Sequence, residues 1–260
     1  MLPIRDDNPH FLPPIATVGI IAANVLVWVF VQGLGTDPQL AASVCRFGLI
    51  PGELLNAFPD GARVQLGPGY FCPLGDGPAL ATVMTSMFLH GGWFHIVGNM
   101  WFLWIFGNNV EDAMGHLRFV VFYLLCGIAA ALLQVATNTD SPIPMVGASG
   151  AIGGVMGAYI VLYPRVHVHM LVFLGVIVTT FAVPAVFMLG YWIVVQLIGG
   201  FQSFGSSGGG VAFWAHIGGF VAGAVLIFLF RDPELLRKHP YHGWRKQRLP
   251  SRSWRRVDRR

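Results

Sequence analysis

Three short polar clusters interrupt an otherwise apolar sequence, at residues 95–99, 147–150 and 215–219. Polar side chains inside long apolar runs are costly and usually mark function. The second cluster contains Ser149 and the third contains His216. A serine hydroxyl becomes a nucleophile when a neighbouring base removes its proton, and histidine is the usual base. These two residues are therefore the candidate nucleophile and base of a catalytic site.

The first cluster supplies candidate hydrogen-bond donors for an oxyanion. His95 and Asn99 are four residues apart, so on a helix they share one face. The backbone N–H of Ser149 is a further donor, because a residue at a helix start has no intrahelical acceptor. His90 is offset by five residues from His95 and points to a different face. We expect a supporting role for it at most, and an ordinary interfacial histidine is the alternative.

The sequence contains no carboxylate that could orient His216 in a triad. No Asp or Glu occurs between Asp140 and Asp232. We therefore predict a Ser–His dyad in which packing holds the imidazole. The segment around Ser149 is not the G-x-S-x-G nucleophile elbow either, because residue 151 is Ala.

The composition predicts an integral membrane protein. Hydrophobic residues form 55% of the chain and charged residues 11%, against about 25% charged residues in soluble proteins. We predict an all-α bundle of six transmembrane helices with a long first outer loop at 34–84. The apolar stretch 168–180 is expected to dip into the membrane without crossing it; a seventh crossing is the alternative. The predicted spans are 15–33, 85–107, 118–136, 149–164, 181–201 and 211–230.

The positions of Lys and Arg predict the orientation. With the N-terminus inside, the outer loops hold only Arg46 and Arg63 of the 16 basic residues. Both termini are then cytoplasmic. The predicted units are an N-terminal lead (1–14), a transmembrane domain (15–230) and a basic tail (231–260), with a Gly-rich hinge at 205–210 inside the domain. We expect the tail to contact anionic lipid and not nucleic acid.

Two further patterns predict that the three clusters meet. His95, Ser149 and His216 each precede a charged residue at the inner end of their span by 15 or 16 residues, or about 22–24 Å of helix. They should therefore lie at one depth. Glycines follow on the faces of Ser149 and His216, and small residues let membrane helices approach closely. We therefore expect the fourth span to pack against the sixth. The charged markers are Glu111, Arg165 and Arg231.

The three cysteines leave one question open. Cys126 lies within the third span and is expected to pack there. Cys45 and Cys72 share the first outer loop, where either a disulfide or two free thiols are compatible with the sequence. No Cys or His spacing indicates a metal site, and no cofactor is expected.

The chain resembles the rhomboid family of intramembrane serine proteases over about residues 82–230. The resemblance rests on HGGWFHIVGN (90–99), GASG (147–150) and AHIGGFVAG (215–223), in that order. It implies a six-helix bundle without a cofactor, with Ser149 as nucleophile and His216 as base. His95 and Asn99 would be the oxyanion donors. The implied substrates are single-span membrane proteins, cut near the outer end of a helix weakened by small or helix-breaking residues.

The chain departs from some members of that family in two places. The first outer loop has no Trp-Arg pair, because it contains no Trp. The position four residues after the serine, where some members carry a Tyr under the histidine ring, is Gly153. Another side chain must then support His216, and Trp214 and Phe220 are the candidates.

Two alternatives to a protease remain. One is a non-catalytic rhomboid-like protein that binds membrane helices as a chaperone or scaffold, although such a binder has no need of Ser149 and His216. The other is a transporter, which requires polar residues through the full depth of the bundle; residues 100–106, below Asn99, are MWFLWIF and close such a path. A prokaryotic plasma membrane is the expected location. The oligomeric state and the physiological substrate are not predicted.

Overall fold

The structure is a computed structural model that describes residues 2–59, 61–67, 69–75, 79–175, 177–203 and 210–239. Most of the described chain is helical. The α-helices in these residues are α1 (Ile15–Phe30), α2 (Gln39–Phe47), α3 (Pro51–Leu54), α4 (Ala79–Thr85), α5 (Trp93–Asp112), α6 (His116–Thr137), α7 (Ser149–Leu162), α8 (Ala185–Ser203), α9 (Phe213–Phe230) and α10 (Pro233–Lys238).

A long helix overlaps each of the six predicted spans. By length and composition, α6, α8 and α9 can cross a membrane, while α1 and α7 are shorter apolar helices. The second span begins later than predicted, since α5 starts at Trp93 and is preceded by α4 and a 3-10 turn at Ser86–Phe88. Helices α5, α7 and α9 all begin at the end of the bundle where the three polar clusters lie.

The prediction of an all-α protein is wrong in part, because two small antiparallel sheets are present. The first sheet has the strand order β1–β4–β5 and the second pairs β2 with β3. The strands are β1 (Leu2–Asp6), β2 (Arg63–Gly67), β3 (Tyr70–Pro73), β4 (His167–Leu174) and β5 (Ile177–Pro184).

The stretch 168–180, predicted to dip into the membrane, is part of the β4–β5 hairpin. It is rich in Val, Ile, Phe and Thr, which favour extended backbone over helix. Gly175, with φ +64°, begins the turn between the strands. The hairpin pairs with the N-terminal strand, with Leu2 opposite Leu171 and Asp6 opposite Val168. The N-terminal lead is therefore tied to the connection between α7 and α8.

Two carboxylates at the end of α5 fix the start of α1. Glu111 is fully buried and accepts hydrogen bonds from the backbone N–H groups of Ala16 and Thr17, at 2.9 and 2.8 Å. Asp112 accepts from the N–H groups of Phe11 and Leu12, at 2.7 and 3.0 Å. The first N–H groups of a helix have no intrahelical acceptor and attract negative charge. These bonds join α1 to the helix that carries His95 and Asn99.

The segment 34–84 is more ordered than a plain loop. It contains helices α2 to α4 and the β2–β3 hairpin. Cys45 of α2 and Cys72 of β3 form a disulfide, which is one of the two alternatives that the sequence leaves open. Cys72 is buried beside Ile50 and Leu74.

Large side chains fill the bundle beneath the polar clusters. Leu103, Phe106, Phe122 and Tyr159 are all fully buried in one apolar core formed by α5, α6 and α7. Among the described residues, this close-packed apolar core closes the bundle below Asn99. The core therefore argues against the transporter alternative.

Two predicted segments lie largely outside the described residues. Residues 204–209 contain most of the predicted hinge, and residues 240–260 contain most of the predicted basic tail. The described part of the tail includes α10, whose N-terminus is capped by Asp232. The backbone N–H groups of Glu234 and Leu235 bond to that carboxylate and lower its pKa.

Asp6 makes the stability of the N-terminal strand depend on pH. Its carboxylate accepts hydrogen bonds from the Tyr159 hydroxyl and from Asn109 Nδ2. Burial nevertheless raises the pKa of Asp6 to about 6, because desolvation disfavours the charged form. The folded state therefore favours protonated Asp6. Its contribution to stability is full below the ordinary pKa of 3.8 and is lost as the pH rises through about 6.

We expect Asp6→Asn to remove this loss, since an amide stays neutral at every pH. Relative to the wild type, the variant should be more stable at pH 7.5 than at pH 5, as measured by thermal unfolding in detergent. Asp140→Asn, which neutralises an exposed carboxylate, is the control. Parallel pH profiles for the wild type and Asp6→Asn would contradict the interpretation.

Candidate active site

Ser149 and His216 are in contact at the beginnings of their helices. Ser149 is the first residue of α7 and follows the N-cap residue Ala148. His216 lies in the first turn of α9. The distance from His216 Nε2 to Ser149 Oγ is 2.8 Å, which is a hydrogen-bond length. The structure therefore brings together the two side chains that the sequence pairs.

Glycines on both helices allow this contact. A Cβ atom added to Gly219 would overlap the carbonyl oxygen of Gly150, and one added to Gly223 would overlap that of Gly154. Helices α7 and α9 therefore touch backbone to backbone, as small residues permit in membranes. The predicted packing of the fourth span against the sixth is confirmed.

The other nitrogen of His216 has a partner that the sequence analysis missed. His216 Nδ1 lies 2.7 Å from Oε1 of Gln196, a buried residue of α8. An amide oxygen can only accept, so Nδ1 carries the proton and Nε2 presents its lone pair to Ser149. Carboxylates are the usual orienting groups of a catalytic histidine, and the sequence offers none here. A lone Gln within an apolar span was the available signal.

Trp192, one turn before Gln196 on α8, supports the imidazole from another side. Its ring centroid is 5.8 Å from that of His216, with 35° between the planes. Phe220, a predicted support, packs against Trp192, and Trp214, the other, packs against Phe201. Trp192 of α8 is therefore a support for the ring that the sequence did not indicate.

Gly153 occupies the position of the Tyr that some rhomboids are expected to carry under the histidine ring. A Cβ atom added there would lie 3.0 Å from the backbone carbonyl oxygen of His216. This position therefore faces the backbone of α9.

His95 has the opposite tautomer from His216. Its Nδ1 accepts a hydrogen bond from the backbone N–H of Gly91 at 3.2 Å, so its Nε2 carries the proton. A Cβ atom added to Gly147 would lie 2.7 Å from His95 Nε2 and 3.4 Å from Ser149 Oγ. The Nε2–H group therefore borders the space beside the serine hydroxyl. Gly147 has φ +133°, which L-residues with side chains rarely adopt, so this space stays open.

Asn99 brings an unsatisfied donor to the same cavity. It is 8% exposed, and its Nδ2 has no hydrogen-bond partner among the described residues. A buried donor without a partner is costly and calls for a functional explanation.

The cavity has a volume of about 890 Å³. Its wall includes all four candidate residues, Ser149, His216, His95 and Asn99, together with residues of the 137–146 connection. A chamber of this size admits an extended peptide segment and water beside Ser149.

His90 lies behind His95 and is fully buried. The two rings meet edge to face with centroids 5.1 Å apart. Gln32 holds the backbone of His90 through two hydrogen bonds, each 2.8 Å long. This position is compatible with the supporting role expected from the sequence. No group of three His, Cys, Asp or Glu within the described part of the chain is placed to hold a metal ion.

The fold and the site define a helical membrane protein with a paired serine and histidine at a large cavity. Comparison with known families finds a match to the Rhomboid domain over residues 78–233. This match covers more than half of the chain, and the chain belongs to the rhomboid family. Membership supports a function of the intramembrane protease type.

Curated relatives agree with this assignment. The chain is 36% identical to Rhomboid protease GluP of Bacillus subtilis over 55% of this chain and 25% of that protein. It is 29% identical to RHOMBOID-like protein 5 of Arabidopsis thaliana over 58% of this chain and 53% of that protein. It is 28% identical to Rhomboid protein 1, mitochondrial, of Saccharomyces cerevisiae over 55% and 40% respectively. The chain thus spans a quarter to about half of each relative.

We expect Gly219→Ala to damage the site through helix packing. The added methyl group overlaps the carbonyl oxygen of Gly150 and must push α7 and α9 apart, which separates Ser149 from His216. Overpacking of this kind costs about 1–3 kcal/mol. The measurements are thermal unfolding in detergent and the rate of Ser149 labelling by a fluorophosphonate. The control is Gly190→Ala on α8, where no described atom lies within 4 Å of the new methyl. Equal stability and labelling in the two variants would contradict the packing argument.

Proposed function

We propose that this chain is an intramembrane serine endopeptidase that cuts transmembrane segments of other membrane proteins. The proposal rests above all on the 2.8 Å contact between His216 Nε2 and Ser149 Oγ. A protein that only binds membrane helices has no use for a serine hydrogen-bonded to the unprotonated nitrogen of a histidine.

The reaction follows from that contact. As Ser149 Oγ attacks the scissile carbonyl carbon, its proton moves to His216 Nε2. The tetrahedral intermediate collapses to an acyl-enzyme, and His216 returns the proton to the leaving amine. A water molecule then enters, loses a proton to His216 and attacks the ester carbon. As the second intermediate collapses, His216 returns this proton to Ser149 Oγ, which releases the carboxyl product and restores the serine hydroxyl.

The oxyanion formed in both steps needs donors aimed at it. His95 Nε2–H borders the space beside Ser149 Oγ, and Asn99 Nδ2 is an unsatisfied donor in the cavity. The backbone N–H of Ser149 begins a helix and is free of an intrahelical acceptor. We assign the oxyanion to these three groups.

The placement of the chain in the membrane belongs to the same proposal. All six long helices cross the bilayer, both termini face the cytoplasm, and the cavity opens toward the outer side. The distribution of Lys and Arg supports this orientation. The units are the lead 1–14, the transmembrane domain 15–230 and the basic tail 231–260. The relatives include a bacterial and a mitochondrial protein, so the prokaryotic plasma membrane stays a prediction from the sequence alone.

The first test compares the wild type with Ser149→Ala and His216→Ala. A fluorophosphonate should label the wild type, and a reconstituted single-span protein should be cleaved. Labelling should vanish in Ser149→Ala, and cleavage should fall at least about 10³-fold in both variants, since nucleophile and base act as one unit. Ser43→Ala and His10→Ala, which do not line the cavity, are the matched controls. Undiminished cleavage by Ser149→Ala would falsify the proposal, and a wild type that neither labels nor cleaves would leave the helix-binding alternative.

The second test concerns the oxyanion donors. His95→Ala and Asn99→Ala should each slow cleavage by about 10²–10³-fold while labelling of Ser149 stays detectable, because the nucleophile and base remain. Asn108→Ala, on the same helix as Asn99, is the control. Cleavage at the wild-type rate in both variants would remove the assigned role.

A further inference from the structure

The imidazole of His216 is held by two hydrogen bonds, one on each ring nitrogen. Nε2 faces Ser149 Oγ at 2.8 Å, and Nδ1 faces Gln196 Oε1 at 2.7 Å. Three helices therefore meet at one ring: α7 through Ser149, α9 through His216 and α8 through Gln196. The Gln196 side chain is only 7% exposed. A hydrogen bond in such a place is shielded from competition by water.

We propose that Gln196 is a positioning residue for His216, so that Ser149, His216 and Gln196 form a triad in which the amide orients the imidazole and takes up no proton; this inference rests on the proposed protease function. An amide oxygen cannot donate, so it selects the tautomer with hydrogen on Nδ1. Only that tautomer leaves Nε2 free to accept the proton of Ser149. With the other tautomer, Nε2–H would point at the hydroxyl, and His216 would not act as its base.

Gln196 also favours the charged state that His216 passes through. When Nε2 takes the proton of Ser149, the imidazolium still donates from Nδ1 to the amide oxygen. Hydrogen bonds become stronger when one partner is charged. The interaction therefore strengthens toward the transition state, which is the condition for accelerating a chemical step.

A neutral acceptor suits a site within the membrane. An aspartate in this place would be a buried charge whenever His216 is neutral, and intramembrane charges are costly. The amide of Gln196 provides the geometric function of a triad carboxylate without that cost. The sequence has no Asp or Glu between Asp140 and Asp232, so no carboxylate of α7, α8 or α9 competes for this role.

Helix α8 fixes the ring in a second way. Trp192 and Gln196 are four residues apart and share one face of the helix. Trp192 packs on the imidazole while Gln196 bonds to its edge. Rotation about the Cβ–Cγ bond of His216 would lose both contacts, so the orientation of the ring depends on α8.

The test replaces the acceptor while keeping the shape of the side chain. Gln196→Met has nearly the same length but only a weak acceptor, and Gln196→Glu restores an oxygen at the same position. Gln202→Met is the matched control, because Gln202 is an exposed glutamine on the same helix. The full chain is purified in detergent, and the rate constant for fluorophosphonate labelling of Ser149 is measured for each variant. Thermal unfolding is followed in parallel.

We expect Gln196→Met to label about 10- to 100-fold more slowly, as for a lost hydrogen bond to a charged group. Gln196→Glu should recover most of the rate, and Gln202→Met should match the wild type. A role limited to filling space predicts that Gln196→Met, with nearly the same length, and Gln196→Glu both label at the wild-type rate. Wild-type labelling by a folded Gln196→Met would overturn the proposal.

A second measurement does not depend on activity or on a stable Gln196→Met variant. Nitrogen-15 NMR of histidine-labelled protein reports which ring nitrogen carries the proton, and the His216 signal is identified by its absence in His216→Ala. We expect the Nδ1–H tautomer in the wild type and in Gln202→Met. An Nε2–H tautomer in the wild type would overturn the positioning role. A wild type that shows the Nδ1–H tautomer but neither labels nor cleaves would refute the proposed function and leave the tautomer assignment standing.

Discussion

The close approach of α7 and α9 is the constraint on which the candidate site depends. Gly150 and Gly154 meet Gly219 and Gly223 with backbone against backbone, and this brings the first turns of the two helices together. In lipid there is no hydrophobic driving force for burying apolar side chains between helices. Close van der Waals packing must therefore stabilise the pair. Ser149 begins α7 and His216 lies in the first turn of α9, so the short distance between these helices allows the hydrogen bond between the two side chains.

The two histidines of the cavity have complementary protonation. Gly91 donates to Nδ1 of His95, while Gln196 accepts from Nδ1 of His216. One imidazole therefore presents a donor and the other a lone pair to the neighbourhood of Ser149. A base and an oxyanion donor are distinguished here by the groups behind the rings and not by the residue type. The surroundings that set each tautomer come from a loop in one case and from α8 in the other.

The sequence predicts those parts of the molecule that local patterns determine. The contact between Ser149 and His216 could be predicted because each helix carries its own signals. The number of residues to a charged marker gives the depth, and the spacing of the glycines gives the packing face. Gln196 stands out as a lone polar residue in an apolar span, but its partner could not be assigned, because His216 is 20 residues away on another helix. Nothing local indicates which face of α8 turns inward. The β4–β5 hairpin was missed for a different reason. An apolar stretch rich in β-branched residues is ambiguous from its sequence, and its pairing with Leu2–Asp6 joins segments more than 160 residues apart.

The dependence of His216 on α8 has a consequence for the order of events during turnover. Any sideways displacement of α8 large enough to admit a helix from the lipid would carry the Gln196 oxygen away from the imidazole. Helix α8 would then control both the entry of a substrate helix and the activation of Ser149. While α8 was displaced, His216 would lack its orienting group. It would then activate neither Ser149 nor a water molecule in the cavity. The reaction would begin only after the substrate helix had entered and α8 had returned to its contact with His216.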